Sequence, residues 1–362
     1  MSIRVLHISI SDSNGGAAIA AARLHHLMNK DGSVDSNMLV LIKNTELRSI
    51  NAVSKTKLIY ARFFNLTNNL LVKKKILVGL FSFAFLGLDL SKHKLVKKAD
   101  VIYVHWTNNG MLSWSNLEKI FLLGKPIYLF NHDMWFFSGG CHQSNGCDQY
   151  KNSCDSCIFF KNTFLKNLVK NRYLKKKNTY KKHSNVHFIL PSLSFYNMAL
   201  NSSIIEKERV HYISNILDSE KFIPSKKNKL KKTRVLYGAM GGKTNPYKGW
   251  EHFIYLIENL NDAIKENIEI YLFGYNFTEL EMSKLPCQVK SYGIVYSEDK
   301  MVKIYQNSDV FIFPSLQESF GQTLFEAMAC GVVPIAYNVG AASDLIVNKW
   351  NGYIIPVGDK EK

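Results

Sequence analysis

Two carboxylates stand eight positions apart in the segment Glu318-Ser-Phe-Gly-Gln-Thr-Leu-Phe-Glu326. A carboxylate accepts hydrogen bonds from paired hydroxyls, and the free N–H groups at a helix start bind anions. The residues between them, Phe320, Gly321, Gln322, Thr323 and Leu324, lead into a helix expected over Thr323–Cys330 and stopped by Gly331. Before the pair, Val310-Phe-Ile-Phe-Pro314 reads as a buried strand closed by proline, and after it Val332-Val-Pro-Ile-Ala336 reads as the next strand. Strand, loop, helix and strand make a βαβ unit, whose ligands bind at the carboxyl ends of the strands. Two carboxylates flanking an anion site at that place suit a nucleotide sugar.

Other candidates sit after other strands. Gly15 and Gly16 follow the strand Arg4–Ile10 and precede the Ala-rich helix Ala17–Asn29, so the backbone there can approach a phosphate. Lys243 and Lys248 follow the strand Val235–Gly238, where an ammonium can neutralise a diphosphate leaving group. His132 follows the strand Ile127–Phe130 and is the acid/base or orienting candidate, with Asp133 expected to hold its tautomer. His105-Trp106 ends another strand and is a second candidate. Four of the six cysteines cluster as Cys141-x5-Cys147-x6-Cys154-x2-Cys157, with His142 adjacent. In a reducing compartment this spacing points to a structural Zn²⁺ held by four thiolates, with reduced buried thiols and disulfides as alternatives. No Asp-x-Asp occurs, so no catalytic metal is expected.

The elements needed to position these residues alternate along the chain. Further strands are expected at Asn37–Lys43, Val101–His105, Val186–Pro191, Val210–Ser214, Glu269–Gly274 and Tyr353–Pro356, with helices from about Trp250 and over Asp299–Asn307. The polar, Lys-rich stretch between Phe222 and Thr233 reads as a linker. The organisation is therefore α/β, with a Rossmann-like domain at 1–222, a linker at 223–232 and a second Rossmann-like domain at 233–362.

The stretch Pro314-Ser-Leu-Gln-Glu-Ser-Phe-Gly-Gln-Thr-Leu-Phe-Glu-Ala-Met-Ala-Cys-Gly331 resembles the signature of retaining nucleotide-sugar glycosyltransferases of the group 1 or family 4 class. The resemblance extends to Asn14-Gly15-Gly16, Asn131-His-Asp-Met-Trp135, Pro191-Ser192, Ile213–Phe222 and Gly238–Gly249. It implies the GT-B fold, two doubly wound domains facing a cleft, with the acceptor on the first and the donor on the second. It also implies Glu318 near the donor sugar, Glu326 on the ribose, Phe320–Leu324 on the diphosphate, and His132 toward the sugars. Catalysis would be metal-independent. Two departures are visible. Ala239 stands where many members carry Arg, with Lys243 as a substitute, and the chain is expected to lack the family's last helices. The function implied is sugar transfer to a saccharide acceptor, lipid-linked, in bacterial surface polysaccharide assembly. An inactive homologue serving as a binding subunit is the alternative, and an epimerase or phosphorylase of the same fold a third.

The charge bears on partners. Lys and Arg number 46 against 29 Asp and Glu, a formal charge of +17. The basic runs are Lys73–Lys75, Lys92–Lys98, Lys161–Lys182 and Lys226–Arg234, and no nucleic-acid-binding module accompanies them. An anionic membrane surface is the expected partner. The apolar stretch Ile76–Leu90 spans 15 residues, too short to cross a bilayer, and reads as a buried or an interfacial helix. The alternating N-terminus reads as a strand and not as a signal peptide. The expected location is cytoplasmic, peripheral to the inner face of the cell membrane.

Overall fold

The computed structural model describes residues 2–70, 72, 76–77, 79–226 and 232–361. The basic run Lys73–Lys75 and the middle of the Lys-rich linker lie outside the described residues. The chain divides into two compact units, Met1–Ile216 and Leu217–Lys362. Phe222, expected to end the first domain, packs in the core of the second unit.

The first unit is built on seven strands: β1 (Ile3–Ser11), β2 (Val34–Ile42), β3 (Ile50–Ala52), β4 (Val101–Val104), β5 (Ile127–Phe130), β6 (Val186–Leu190) and β7 (Val210–Tyr212). All pair in parallel, in the order β3-β2-β1-β4-β5-β6-β7. The order reverses between β1 and β4, which opens the switch-point crevice of a Rossmann-like sheet at their carboxyl ends. Side chains alternate across the sheet. Leu6, Ile8, Ile102, Val104, Ile127 and Leu129 enter the main apolar cluster. The intervening His7, Tyr103, Tyr128 and Phe130 therefore lie on the opposite face, where His7 stacks on Tyr103 and Tyr103 on Tyr128.

The second unit holds six strands: β8 (Thr233–Gly238), β9 (Ile268–Phe273), β10 (Gln288–Ser291), β11 (Val310–Phe313), β12 (Val333–Tyr337) and β13 (Tyr353–Ile355), in the order β10-β9-β8-β11-β12-β13, again parallel. Here both faces are apolar. Val235, Tyr237 and Ile312 pack under the helix Trp250–Asn259, whereas Leu236, Phe311 and Phe313 pack under Gln322–Ala329. Continuous apolar runs are what a doubly covered parallel strand requires. One clamp recurs in both units. Arg4 at the start of β1 grips Asp100 before β4 through its backbone N–H and guanidinium, at 2.7–3.0 Å. Arg234 at the start of β8 grips Asp309 before β11 in the same way, at 2.9–3.1 Å. Each clamp ties the two strands that flank the switch point.

Two readings need correction. Ile76–Leu90 is not a helix among its described residues. Phe81 forms an isolated bridge with Cys141, and Phe81 and Phe83 are buried beside Phe160. Gly79 and Ala84 both take positive φ, which breaks any helical run. The segment's apolar residues fill the first unit's core as irregular chain. The basic run Lys161–Lys182 does form a helix, Thr163–Lys182, but two of its cations, Arg172 and Lys176, are buried. Among the described residues no helix is long and apolar enough to cross a membrane.

Candidate active site

In the second unit the loops after β8 and β11 meet. Asn245 caps a single 3₁₀ turn, Pro246–Lys248, and Gly249 follows with φ 67°. The Leu316 N–H donates to the Tyr247 carbonyl at 2.8 Å, and the Tyr237 hydroxyl donates to the carbonyls of Gly242 and Lys248 at 3.3 and 3.2 Å. These bonds place the Lys248 ammonium on the Glu318 carboxylate, a pair whose side chains are 21% and 13% exposed. A Cβ on Gly249 would lie 1.9 Å from the Pro314 carbonyl oxygen. Gly249→Ala combines that collision with an L residue at positive φ, so thermal unfolding should show a loss of about 2–4 kcal/mol. A variant as stable as the parent would mean that this loop packing does not matter.

Gly321, with φ 99°, precedes the helix Gln322–Ala329, and its missing side chain leaves room for the Phe313 ring. Glu326 lies in the second turn, buried, and its Oε2 accepts the Tyr305 hydroxyl at 2.7 Å. The structure thus brings Lys248, Glu318, Phe320–Leu324 and Glu326 together on one rim of one sheet. Gly340 closes the rim, since a Cβ there would stand 2.5 Å from the Phe320 carbonyl oxygen and 2.9 Å from the Glu318 Cβ. Lys243 is engaged elsewhere. It pairs with Glu281, which raises the lysine's pKa and draws the Glu281 carboxyl down to about 2. Glu281 also closes the capping box of its own helix through Thr278. Ala239 is buried, and its carbonyl accepts the Gly242 N–H at 2.8 Å.

In the first unit Gly15 takes φ 91° as the N-cap of the helix Gly16–Asp31, and no heavy atom lies within 4 Å of where its Cβ would be. The loop is braced by Asp12, which sequence reasoning missed. Its carboxylate accepts the backbone N–H groups of Asn44 and Thr45 and the Thr45 hydroxyl, at 2.8–3.1 Å. Burial pushes the Asp12 pKa up, but these donors outweigh it and hold the carboxyl below its ordinary value.

His132 emerges beyond β5 as expected, and its Nε2 lies 2.9 Å from His105 Nδ1. His105 Nε2 lies in turn 3.0 Å from His7 Nδ1. Asp133, expected to orient His132, turns to other partners. It accepts from Trp106 Nε1 and the Trp135 N–H, each at 2.8 Å, and bonds His142 Nδ1 at 2.5 Å. Burial drives the His132 pKa down to about 4, opposed by the Asp133 charge. The loop after His132 is pinned from below by Lys176, whose ammonium donates to the carbonyls of Trp135 and Ser138 and lies 4.0 Å from the centre of the Trp135 ring. Burial lowers its pKa to about 7.

The expected zinc set is not assembled. Cys141, Cys147, Cys154 and Cys157 line one cavity of about 10 Å³, together with Phe81, Tyr150, Phe159 and Val169. All four are free, and burial pushes Cys141 up to about 12 and Cys157 up to about 11. Apolar walls favour the neutral thiol over the thiolate that a metal requires. Among the described residues no group of three or more His, Cys, Asp or Glu is arranged to hold a metal ion. His142, considered as a substitute ligand, instead bonds Asp133 and the Ser82 hydroxyl.

The rim of the second unit can now be compared with known proteins. The sequence profile of the family "Glycosyl transferases group 1" matches residues 219–362, the span that holds Lys248, Glu318 and Glu326. The second unit, residues 219–362, is thus similar in sequence to the group 1 glycosyltransferases. Among solved structures, HepE of Anabaena in complex with UDP and glucose superposes with a TM-score of 0.63 at 14% identity, covering 99% of this chain and 87% of that one. The lipopolysaccharide outer core galactosyltransferase WaaB in its apo form gives 0.56 at 12% identity, covering 99% and 87%. Both units thus have the Rossmann-like folds of GT-B enzymes. Curated relatives match over shorter spans. The glycogen synthase of Lactococcus lactis is 30% identical over 118 residues, 31% of this chain and 24% of that protein. The capsular polysaccharide biosynthesis glycosyltransferase CapM of Staphylococcus aureus is 41% identical over 58 residues, 16% of this chain and 15% of that one. The matched segments therefore span well under half of these relatives.

Proposed function

We propose that this protein is a group 1 glycosyltransferase that moves a hexosyl group from a nucleoside diphosphate sugar to a saccharide acceptor, with retention of configuration. The observation that carries the reading is the rim that joins Lys248, Glu318, the start of the helix Gln322–Ala329 and Glu326. Breaking the anomeric C–O bond leaves the electron pair on the diphosphate. Lys248 and the start of that helix would stabilise that charge as it develops. Glu318 would take the donor sugar's hydroxyls and Glu326 the ribose. The UDP complex of HepE favours a uridine nucleotide, and the names of WaaB and CapM favour an acceptor of surface polysaccharide synthesis. A lipid-linked acceptor at an anionic membrane face fits the charge of +17 and a cytoplasmic, peripheral location.

Ala239 and the Lys243–Glu281 pair favour a second reading, an inactive homologue that binds a donor without turning it over, because the cation many members carry at position 239 is absent and its expected substitute is paired with Glu281. The full chain incubated with a panel of UDP-, GDP- and dTDP-sugars separates the readings. Slow release of nucleoside diphosphate from one donor, accelerated by saccharide acceptors, is the expected result. Donor binding without release on any acceptor would favour the homologue, and no donor binding at all would overturn both.

A further inference from the structure

Three imidazoles cross the first sheet in single file. His7 lies on β1, His105 just beyond β4 and His132 just beyond β5, three strands that neighbour one another. In register His7 stands beside Tyr103 and Tyr103 beside Tyr128, so each histidine sits two residues further toward the carboxyl ends than the last. The rings of His7 and His105 are inclined by 21° and those of His105 and His132 by 25°, near enough to coplanar that each N–H lies along its neighbour's lone pair. His7 and His105 are fully buried, and burial pushes His7 down to about 3 and His105 well below its ordinary value, so both are neutral.

Proton counting then links the two ends. Three neutral rings carry three N–H groups and three lone pairs. The two inter-ring bonds use two of each. One N–H and one lone pair remain, and they must stand at opposite ends of the file, on His7 Nε2 and His132 Nδ1. His7 Nε2 is buried with no hydrogen-bond partner among the described residues. An orphaned buried N–H is rarer than an acceptor left short, so the buried end is the bare nitrogen.

We infer that His7 and His105 are positioning residues that fix the tautomer of His132, holding it as the Nδ1–H form. Each ring donates from Nδ1 to the next ring's Nε2, which leaves the last N–H of the file on His132 Nδ1. With its Nε2 taken by His105 and its Nδ1 protonated, His132 is not a base. That consequence bears on the transferase reading; the tautomer itself does not rest on it.

The test is therefore made without substrate. The full chain labelled with ¹⁵N in its imidazoles is measured at pH 7 by long-range ¹H–¹⁵N correlation, with His132 assigned from its loss in His132→Gln. The expected result is a protonated Nδ1 and a bare Nε2 on His132, the tautomer that free histidine disfavours. Finding the Nε2–H form or the imidazolium overturns the inference. In His105→Phe, His132 is expected to shift to the Nε2–H form, and persistence of Nδ1–H would show that something other than the file sets it. If His105→Phe does not fold, the wild-type spectrum alone decides. The nucleotide-sugar assay stands apart, so either result can fail without the other.

Discussion

Lys248→Ala should lower turnover about a hundred- to a thousandfold, the cost of removing one preorganised group from a developing anion. The loop that carries Lys248 is held by backbone bonds and by the Tyr237 hydroxyl on the Lys248 carbonyl, so the substitution removes the ammonium without loosening its support. It also leaves the Glu318 carboxylate without its paired cation beside the place where the diphosphate would depart. Glu318→Gln removes that negative charge and keeps the shape, so it should cost less in turnover and leave nucleotide affinity near the parent value. The double variant decides what the pair is for. If Lys248 acted only by holding Glu318, the two changes would be redundant, and the double variant would match the worse single one. If Lys248 acts on the diphosphate, Lys248→Ala should remain severe whatever stands at position 318. Single-turnover kinetics with the preferred donor measures both. Turnover within about threefold of the parent in Lys248→Ala would remove the lysine from the chemistry.

Much of the second unit was legible because its strands are short apolar runs stopped by Gly or Pro. Val310–Phe313 and Val333–Tyr337 lie within one residue of where the sequence placed them. β10 was missed because Gln288-Val-Lys-Ser291 is polar, as suits an edge strand. Ile76–Leu90 was misread because an apolar run without periodicity looks the same as a buried helix or as irregular core chain. The helix Thr163–Lys182 was hidden by its lysines, of which the buried Lys176 could be recognised only from the loop it pins. The placement of Lys248, Glu318 and Glu326 on one rim was legible, since each lies on a loop or helix next to its own strand. The partner of Lys243 was not legible. Glu281 is 38 residues away and meets it only when β8 and β9 are neighbours. The histidine file was hidden for the same reason. His7 and His105 are 98 residues apart, and their contact depends on a strand order that no local pattern encodes.

Glu326→Ala is expected to weaken nucleotide binding by about 1–3 kcal/mol, roughly ten- to a hundredfold in Kd, if its carboxylate takes the ribose hydroxyls. The substitution has a second effect that must be separated from the first. Glu326 is 6% exposed and Tyr305 is fully buried, so alanine leaves the tyrosine hydroxyl without its acceptor at 2.7 Å. Removing the acceptor of a buried hydroxyl costs about 1–3 kcal/mol of stability. Tyr305→Phe provides the control, because it removes the hydroxyl and keeps the carboxylate. It should lower stability less than Glu326→Ala, since no buried donor is left behind, and reduce UDP affinity only as far as the carboxylate loses its orientation. Glu326→Gln keeps the volume and an oxygen for Tyr305 but trades a charged acceptor for a neutral one, so its affinity should fall between the parent and alanine. Calorimetry with UDP and thermal unfolding of the three variants test this ordering. Glu326→Ala that folds and binds UDP as tightly as the parent would assign the carboxylate to the core alone. Its bond to Tyr305, and not a ribose, would then account for a glutamate in the second turn of this helix.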